Sequence, residues 1–403
     1  MNKKKLVVVY YTHTYFLDAT LETIQSIKND VELHLIIELA PESKNSTIIN
    51  VEKINHFNTL ESAEKVLDYV KWLQLSPYFS GVASVQFLIH KHKKSLSFNS
   101  LQVAWAAGKW IKKLNPDIIH FDTISPRTIG LFPFILWKKS FITIHDPVPH
   151  SGEDTWKQRL VKFIFFPFSN GFFFYSNFAN RQFTSKYPSS NTPISILRLQ
   201  PYTFIKQYTD GIDDISGQFI LFFGRISKYK GIDILLEAIP IVLKSFPNEK
   251  FLIAGKCDGF YIDNILINKY KNNIIFVNSY LDLDDLANCV LNAKFIVCPY
   301  RDATQSGVLM TTNSLGKTTV ATNVGAFPEY IKDGFNGLLV CPDAFDLANT
   351  IIKALNNNYY KQLERNVTSE TDMDICLGNK EMLLNAYNNI FSSNQLSKSL
   401  VSE

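Results

Sequence analysis

Residues 218–255 read QFILFFGRISKYKGIDILLEAIPIVLKSFPNEKFLIAG. Within this stretch an apolar run, a glycine turn carrying Arg225, Lys228 and Lys230, a segment of helical period and a second apolar run follow one another. Short runs that are apolar throughout predict strands buried on both faces, and a helical segment between two of them predicts a parallel βαβ unit. The alternation continues through NIIFV, LDLDDLANCVLNA, KFIVCP, TTVAT, GLLV and AFDLANTIIKAL. In LDLDDLANCVLNA, Leu283, Leu286, Ala287, Val290 and Leu291 stand at i, i+3, i+4, i+7 and i+8, which gives one apolar face. This half is predicted to be a Rossmann-like, doubly wound α/β domain.

The first half repeats the scheme less cleanly. KLVVVYY, VELHLII, DIIHFD, SFITIHD and GFFFYS are candidate buried strands, with helical stretches near residues 17–27, 60–73 and 101–114. The expected organisation is a first α/β domain over 1–205, a second over 206–375, and a C-terminal helix and tail over 376–403 that packs back on the first. LQPYTFIKQYTDGIDDISG is polar and without periodicity and marks a linker near residues 200–217. The final SSNQLSKSLVSE is Ser-rich with little to bury and is expected to fray. Two doubly wound domains on one linker leave a cleft between the carboxyl ends of their sheets, where open α/β sheets bind ligands. GRISKYKG, GKCDG, PYRDATQSG and HDPVPHSGE all fall at such strand ends.

Composition narrows the classes. The chain has 403 residues, 46% of them hydrophobic, enough for two cores. Lys and Arg total 41 against 37 for Asp and Glu, and a net charge of +4 is too small to argue for nucleic acid. The five cysteines are odd in number and none lie at C-x-x-C spacing, which points to a reducing, cytoplasmic setting without structural zinc. Basic residues precede the apolar run 6–11, but Thr12 and His13 interrupt it, so it reads as a buried strand rather than a signal peptide. No stretch reaches the ~18 uncharged apolar residues of a spanning helix.

The first strand is followed by YYTHTYFLD, not G-x-G-x-x-G, and there is no G-x-x-x-x-G-K-[ST], which argues against nicotinamide cofactors and P-loop ATP hydrolysis. G-x-S-x-G, H-E-x-x-H and Cys/His ligand clusters are absent too. What remains is a cationic glycine loop and a helix start. TQSGVLM places Gln305, Ser306 and Gly307 at an expected helix N-terminus, where free N–H groups favour an anion. With Arg225 and Lys230 opposite, these residues make a diphosphate pocket that needs no metal. The plainer use of Ser306 is to cap the helix.

Residues 218–356 resemble, in order and nearly throughout, the donor domain of retaining family-4 glycosyltransferases with the GT-B fold. FFGRISKYKGIDILLEAI, FLIAGKCDG, SGVLMTTNSLGKTTVATNVGAFPEYIKDGFNGLLV and FDLANTIIKAL carry the likeness. The resemblance implies that Arg225 and Lys230 hold the sugar donor's diphosphate, with Gly224, Gly255, Lys256, Asp302, Gln305, Ser306, Gly307, Val308 and Thr311 around the donor. FITIHDPVPHSGE is similar to the family's strand-end histidine segment, which implies that His145 faces the donor sugar. The family's two glutamates separated by seven residues are missing: Ala303 and Thr311 stand in their places. A threonine cannot accept from two ribose hydroxyls as a carboxylate does.

Several residues admit two uses. His145 orients a sugar or is a satisfied polar histidine; His150 and Glu153 touch donor or acceptor or are solvated. His13 is an acceptor contact if the family's glycine loop is replaced by this turn. Glu329 caps a turn. WKQRLVKFIFFPF interleaves basic and aromatic residues, as a helix lying on an anionic membrane does and as a core helix with a basic edge does. The resemblance implies a cytoplasmic glycosyltransferase, peripheral to the membrane's inner face, that passes a sugar from a nucleotide diphosphate to a carbohydrate or lipid-linked acceptor in cell-surface polysaccharide synthesis. A nucleotide-sugar epimerase and a non-catalytic nucleotide-sugar-binding partner are the alternatives.

Overall fold

The computed structural model describes residues 4–41, 48–49, 54, 59–148, 155–209, 218–257, 264–367 and 372–399. The chain forms two compact units. The first comprises Met1–Tyr175, Ala179–Arg198 and Ile375–Glu403; the second comprises Ser176–Phe178 and Leu199–Asp374.

The first unit is built on eight strands: β1 (Val7–His13), β2 (Glu32–Leu39), β3 (Thr59–Ser62), β4 (Ser84–Ile89), β5 (Ile118–Phe121), β6 (Lys139–Thr143), β7 (Gly171–Phe174) and β8 (Ile194–Ile196). Their order is β3-β4-β2-β1-β5-β6-β7-β8, and every pairing is parallel except β3 with β4. The expected helix over 60–73 is therefore corrected: Thr59–Ser62 is an antiparallel edge strand, and the helices are Ala63–Val66 and Tyr69–Phe79. Edge pairing overrides the helical pattern over Leu60, Glu61 and Ser62. β4 and β8 escape the apolar-run criterion because their sides are half-open and carry Ser84, Gln86 and Ser195.

The second unit has six strands: β9 (Phe219–Phe223), β10 (Phe251–Ala254), β11 (Ile274–Val277), β12 (Ala293–Cys298), β13 (Thr319–Thr322) and β14 (Gly337–Val340). All pair in parallel in the order β11-β10-β9-β12-β13-β14. Strand order reverses between β9 and β12 here, and between β1 and β5 in the first unit. Doubly wound sheets bind ligands at such switch points, beyond the carboxyl ends of the strands.

Two sequence expectations change. Residues 199–209 are no linker: a 3₁₀ turn at Thr203–Tyr208 buries Phe204, Ile205 and Tyr208 in the second unit. The C-terminal helix Asp372–Ser399 runs on into the stretch expected to fray, whose last four residues lie outside the described ones, and Leu383 and Tyr387 are fully buried in the first unit. Among the described residues no helix is long and apolar enough to cross a membrane.

Candidate functional site

β9 ends at Gly224, whose φ of +100° is open only to glycine. A side-chain carbon there would press on the Lys230 ammonium at 3.0 Å and on a Val308 methyl at 3.2 Å. One bare backbone position thus gathers the cationic loop and the first turn of the helix Gly307–Ser314. Gly255, at the end of β10, lies against the Gly224 carbonyl, and Lys256 beyond it accepts the N–H of Ile226 through its carbonyl at 2.9 Å.

The loop is held rigid from the β12 side. Gly231, at φ +63°, abuts the Pro299 carbonyl, and Arg301 donates its backbone N–H to the Tyr229 carbonyl at 2.7 Å. The Arg301 guanidinium grips Asp233 with two bonds of 2.6 and 2.9 Å. Beyond it Asp302 is half-buried, Ala303 accepts from Ala326 through its carbonyl at 2.7 Å, and the Thr304 carbonyl accepts from the Ser176 hydroxyl at 3.0 Å. Half-buried Gln305 and buried Ser306 lead into the helix. The Ser306 hydroxyl accepts the N–H of Leu309 at 3.2 Å, so Ser306 is a helix cap. The amides of Gly307 and Val308 open that helix, where no intrahelical partner exists for them. Thr311 is buried one turn further on.

Lys230 is the unusual group. Only 8% exposed, its ammonium sits 5.1 Å from the centre of the Tyr300 ring, and the Arg225 guanidinium lies 6.0 Å from that of Tyr229. Burial lowers the Lys230 pKa to about 8; Cys298 opposes the shift and Arg225 adds to it. Cys298 supplies no counter-ion, because burial pushes its thiol up to about 12. Among the described residues no carboxylate pairs with Lys230.

At the switch point of the first unit stands a buried carboxylate, Asp122. It accepts from Thr20 at 2.7 Å, Thr12 at 3.1 Å and Tyr10 at 3.4 Å, and its Oδ1 lies 3.3 Å from His145 Nε2. Burial raises the Asp122 pKa, but the His145 charge and hydrogen bonds from His145 and Thr20 outweigh it, so the net shift is downward. His145 stacks on Phe16 at 3.8 Å and is 6% exposed. His13 caps the turn Thr14–Phe16, its Nδ1 accepting the Tyr15 N–H at 3.3 Å. His120 is structural: its ring nitrogens bond Tyr387 at 2.6 Å and Thr143 at 2.8 Å, and burial lowers its pKa to about 3. His150 and Glu153 lie outside the described residues.

Residues 217–357 match the family model of glycosyl transferases group 1. Over 142 residues the chain is 31% identical to an uncharacterised glycosyltransferase of Methanocaldococcus jannaschii, an alignment covering 34% of this chain and 38% of that protein. The whole fold is similar to sucrose-phosphate synthase of Thermosynechococcus elongatus, with a TM-score of 0.65 over 96% of this chain and 100% of that one at 14% identity. It is also similar to Anabaena HepE, solved with UDP and glucose, with a TM-score of 0.60 over 98% and 100% at 12% identity. The fold is accordingly GT-B. The chain spans less than half the length of the archaeal relative it matches.

Within the matched segment, Gly224, Lys230 and Val308 come together directly, and Arg225 sits close enough to bear on the charge of Lys230. Glu329 takes the capping role expected of it, its carboxylate accepting the N–H groups of Asn177 at 2.8 Å and Phe178 at 2.7 Å. Sequence reasoning missed Tyr300, which shelters Lys230, and Arg301, which braces the loop. Both belong to the strand-end segment PYRD, and only their position after β12 could have signalled them. Asp122 leaves no local signal in the sequence, because nothing in the chain order ties it to His145.

Proposed function

We propose that this protein is a retaining glycosyltransferase that moves a sugar from a nucleotide diphosphate to a carbohydrate or lipid-linked acceptor. In this reading Arg225, Lys230 and the amides of Gly307 and Val308 hold the donor's diphosphate. The observation that carries it is Lys230, a buried ammonium with no carboxylate partner among the described residues, beside a bare glycine and a helix start. Such a charge is costly until an anion arrives. The UDP bound by Anabaena HepE, on the same fold, supports a nucleotide diphosphate as that anion.

Negative charge grows on the diphosphate as the glycosidic bond breaks, and cations fixed beforehand stabilise that change. Each charge-assisted contact is worth roughly 1.5–3 kcal/mol. The acceptor hydroxyl attacks the anomeric carbon on the face the diphosphate leaves. The new C–O bond forms as the old one breaks, and a donor phosphate oxygen takes the hydroxyl proton. This route requires neither an enzymic carboxylate pair nor a divalent ion. His145, steadied by Asp122 and Phe16, is assigned the donor sugar, and the reaction belongs to cell-surface polysaccharide synthesis.

Replacing Arg225 with Ala is expected to lower transfer by about a hundredfold or more, the scale of an oxyanion-hole deletion. Near-normal transfer by that variant rejects the pocket. Incubating donor without acceptor in deuterated water separates the epimerase reading, since epimerisation exchanges a sugar proton. Donor binding with neither transfer nor hydrolysis would indicate a non-catalytic partner.

A further inference from the structure

The sheet of the first unit ends in two polar wells, one on each face, and the proposed transfer uses only the one that holds Asp122 and His145. Tyr10 and Thr12 turn from β1 to Asp122 on that face, so Tyr11 and His13 point to the other. There the parallel register sets His13 beside Glu38 and Glu38 beside Leu88, with His90 two residues further on. His13, Glu38 and His90 thus close three neighbouring strands on one side. Tyr11 donates to the Glu38 carboxylate at 2.6 Å and Ser125 donates to it at 3.3 Å, and Glu38 is fully buried. His90 is 2% exposed, and neither of its ring nitrogens has a hydrogen-bond partner among the described residues. Glu38 Oε1 stands 4.0 Å from its Nε2, beyond bonding range. Burial lowers the His90 pKa to about 4, with Glu38 opposing the shift and Arg127 and His13 adding to it, so the imidazole is neutral near pH 7. The Arg127 guanidinium donates to the carbonyls of His92 and Lys93 at 3.0 and 3.1 Å.

The turn Thr14–Phe16 sends one ring to each well. Phe16 stacks on His145 at 3.8 Å, and Tyr15 stacks on His13 at 4.8 Å with the ring planes 9° apart. His13 is tied to the turn through its Nδ1, so the group that solvent reaches is Tyr15, at 46% exposure. A buried imidazole with an idle donor and an idle acceptor is unfavourable until a ligand supplies both partners. A hydroxyl does so, because it gives and takes a hydrogen bond. The Glu38 carboxylate beside it disfavours an anion, and among the described residues no three His, Cys, Asp or Glu are grouped to hold a metal ion. The exposed Tyr15 ring adds a flat apolar face next to these polar groups, which suits a pyranose with its apolar ring face and its rim of hydroxyls. The carboxyl ends of the strands are where a doubly wound sheet takes its ligands.

We propose that Tyr15, Glu38 and His90 bind an uncharged pyranose, its ring laid on Tyr15 and its hydroxyls on the Glu38 and His90 pair once the stack of Tyr15 on His13 turns outward. The inference rests on the transfer reading in one respect, that this sugar is the acceptor; the binding itself is tested without nucleotide. Saturation-transfer NMR is recorded on the full chain with the methyl glycosides of glucose, galactose, mannose and N-acetylglucosamine, and with open-chain sorbitol as the control. At least one glycoside should bind, and sorbitol should not. Tyr15→Ser and His90→Phe should each weaken that binding about tenfold or more. The melting temperature should stay unchanged in the first variant, whose ring is exposed, and stay or rise in the second, which buries no unpaired nitrogen. UDP affinity, titrated separately, should be the same in both variants as in the wild type. The proposal is overturned if no glycoside binds, if sorbitol binds equally, if either variant keeps full affinity, or if His90→Phe melts markedly lower or loses UDP affinity in parallel. A glycoside bound by a chain that ignores UDP would refute the transfer reading and leave this site standing, and UDP binding with no glycoside bound would do the reverse.

Discussion

Lys230 holds stability and binding in opposition. Its pKa falls from the ordinary lysine value to about 8 in the folded protein, so below that pH the native state carries an ammonium that the unfolded chain solvates better. Stability should therefore rise with pH between about 8 and 10.5 through this group. Lys230→Met, which keeps the volume and removes the charge, should raise the melting temperature at pH 7, by on the order of 1–3 kcal/mol of stability, while impairing UDP binding. A buried lysine kept for structure would show the reverse. The pH dependence of binding follows with the opposite sign: UDP affinity should be full below about 8 and fall tenfold per pH unit above it, as calorimetric titrations at several pH values would show. Asp122 behaves differently. Its folded pKa is depressed, so its contribution is present above the unfolded carboxylate pKa and disappears as the pH falls. Asp122→Asn should cost about 3–5 kcal/mol in urea melts at pH 7 and lose that penalty in acid.

At the scale of elements, the turn after β9 works because glycine occupies two positions that nothing else tolerates. Gly224→Ala places a methyl group between Lys230 and Val308 at φ +100°, and the strain alone is worth about 1–3 kcal/mol. The variant should melt lower and bind UDP more weakly, whereas Gly316→Ala, which also has positive φ but meets no atom within 4 Å, should only melt lower. The second unit was legible in the sequence because strands buried on both faces leave uninterrupted apolar runs, and all six were readable. The turn proposed to hold an anion was legible because its glycines and cations are adjacent along the chain. Edge strands such as β3, and residues brought together across the sheet such as Lys230 with Tyr300 or Asp122 with His145, leave no such local trace. The turn at 203–208 was misread because isolated Phe204, Ile205 and Tyr208 bury themselves without a period.

At the scale of the whole molecule, the chain returns to its first unit to finish it. The C-terminal helix brings Tyr387 to His120, Phe141 and Phe173, and Asn379 pairs with the backbone of Arg198 at 2.8 Å in both directions. Tyr387→Ala opens a cavity and leaves a fully buried imidazole nitrogen unpaired, a loss of about 3–5 kcal/mol. Differential scanning calorimetry should show a lowered transition that UDP at saturating concentration does not fully restore, because the proposed diphosphate site belongs to the other unit.

The proposed transfer depends on a diphosphate held by protein cations at the end of β9. Calorimetric titration of UDP in the presence of EDTA, with wild-type protein and with Lys230→Met, tests this most directly. Binding that persists in chelator and weakens at least tenfold in the variant is the predicted result. Equal affinity in the two proteins, or binding abolished by EDTA, would contradict it.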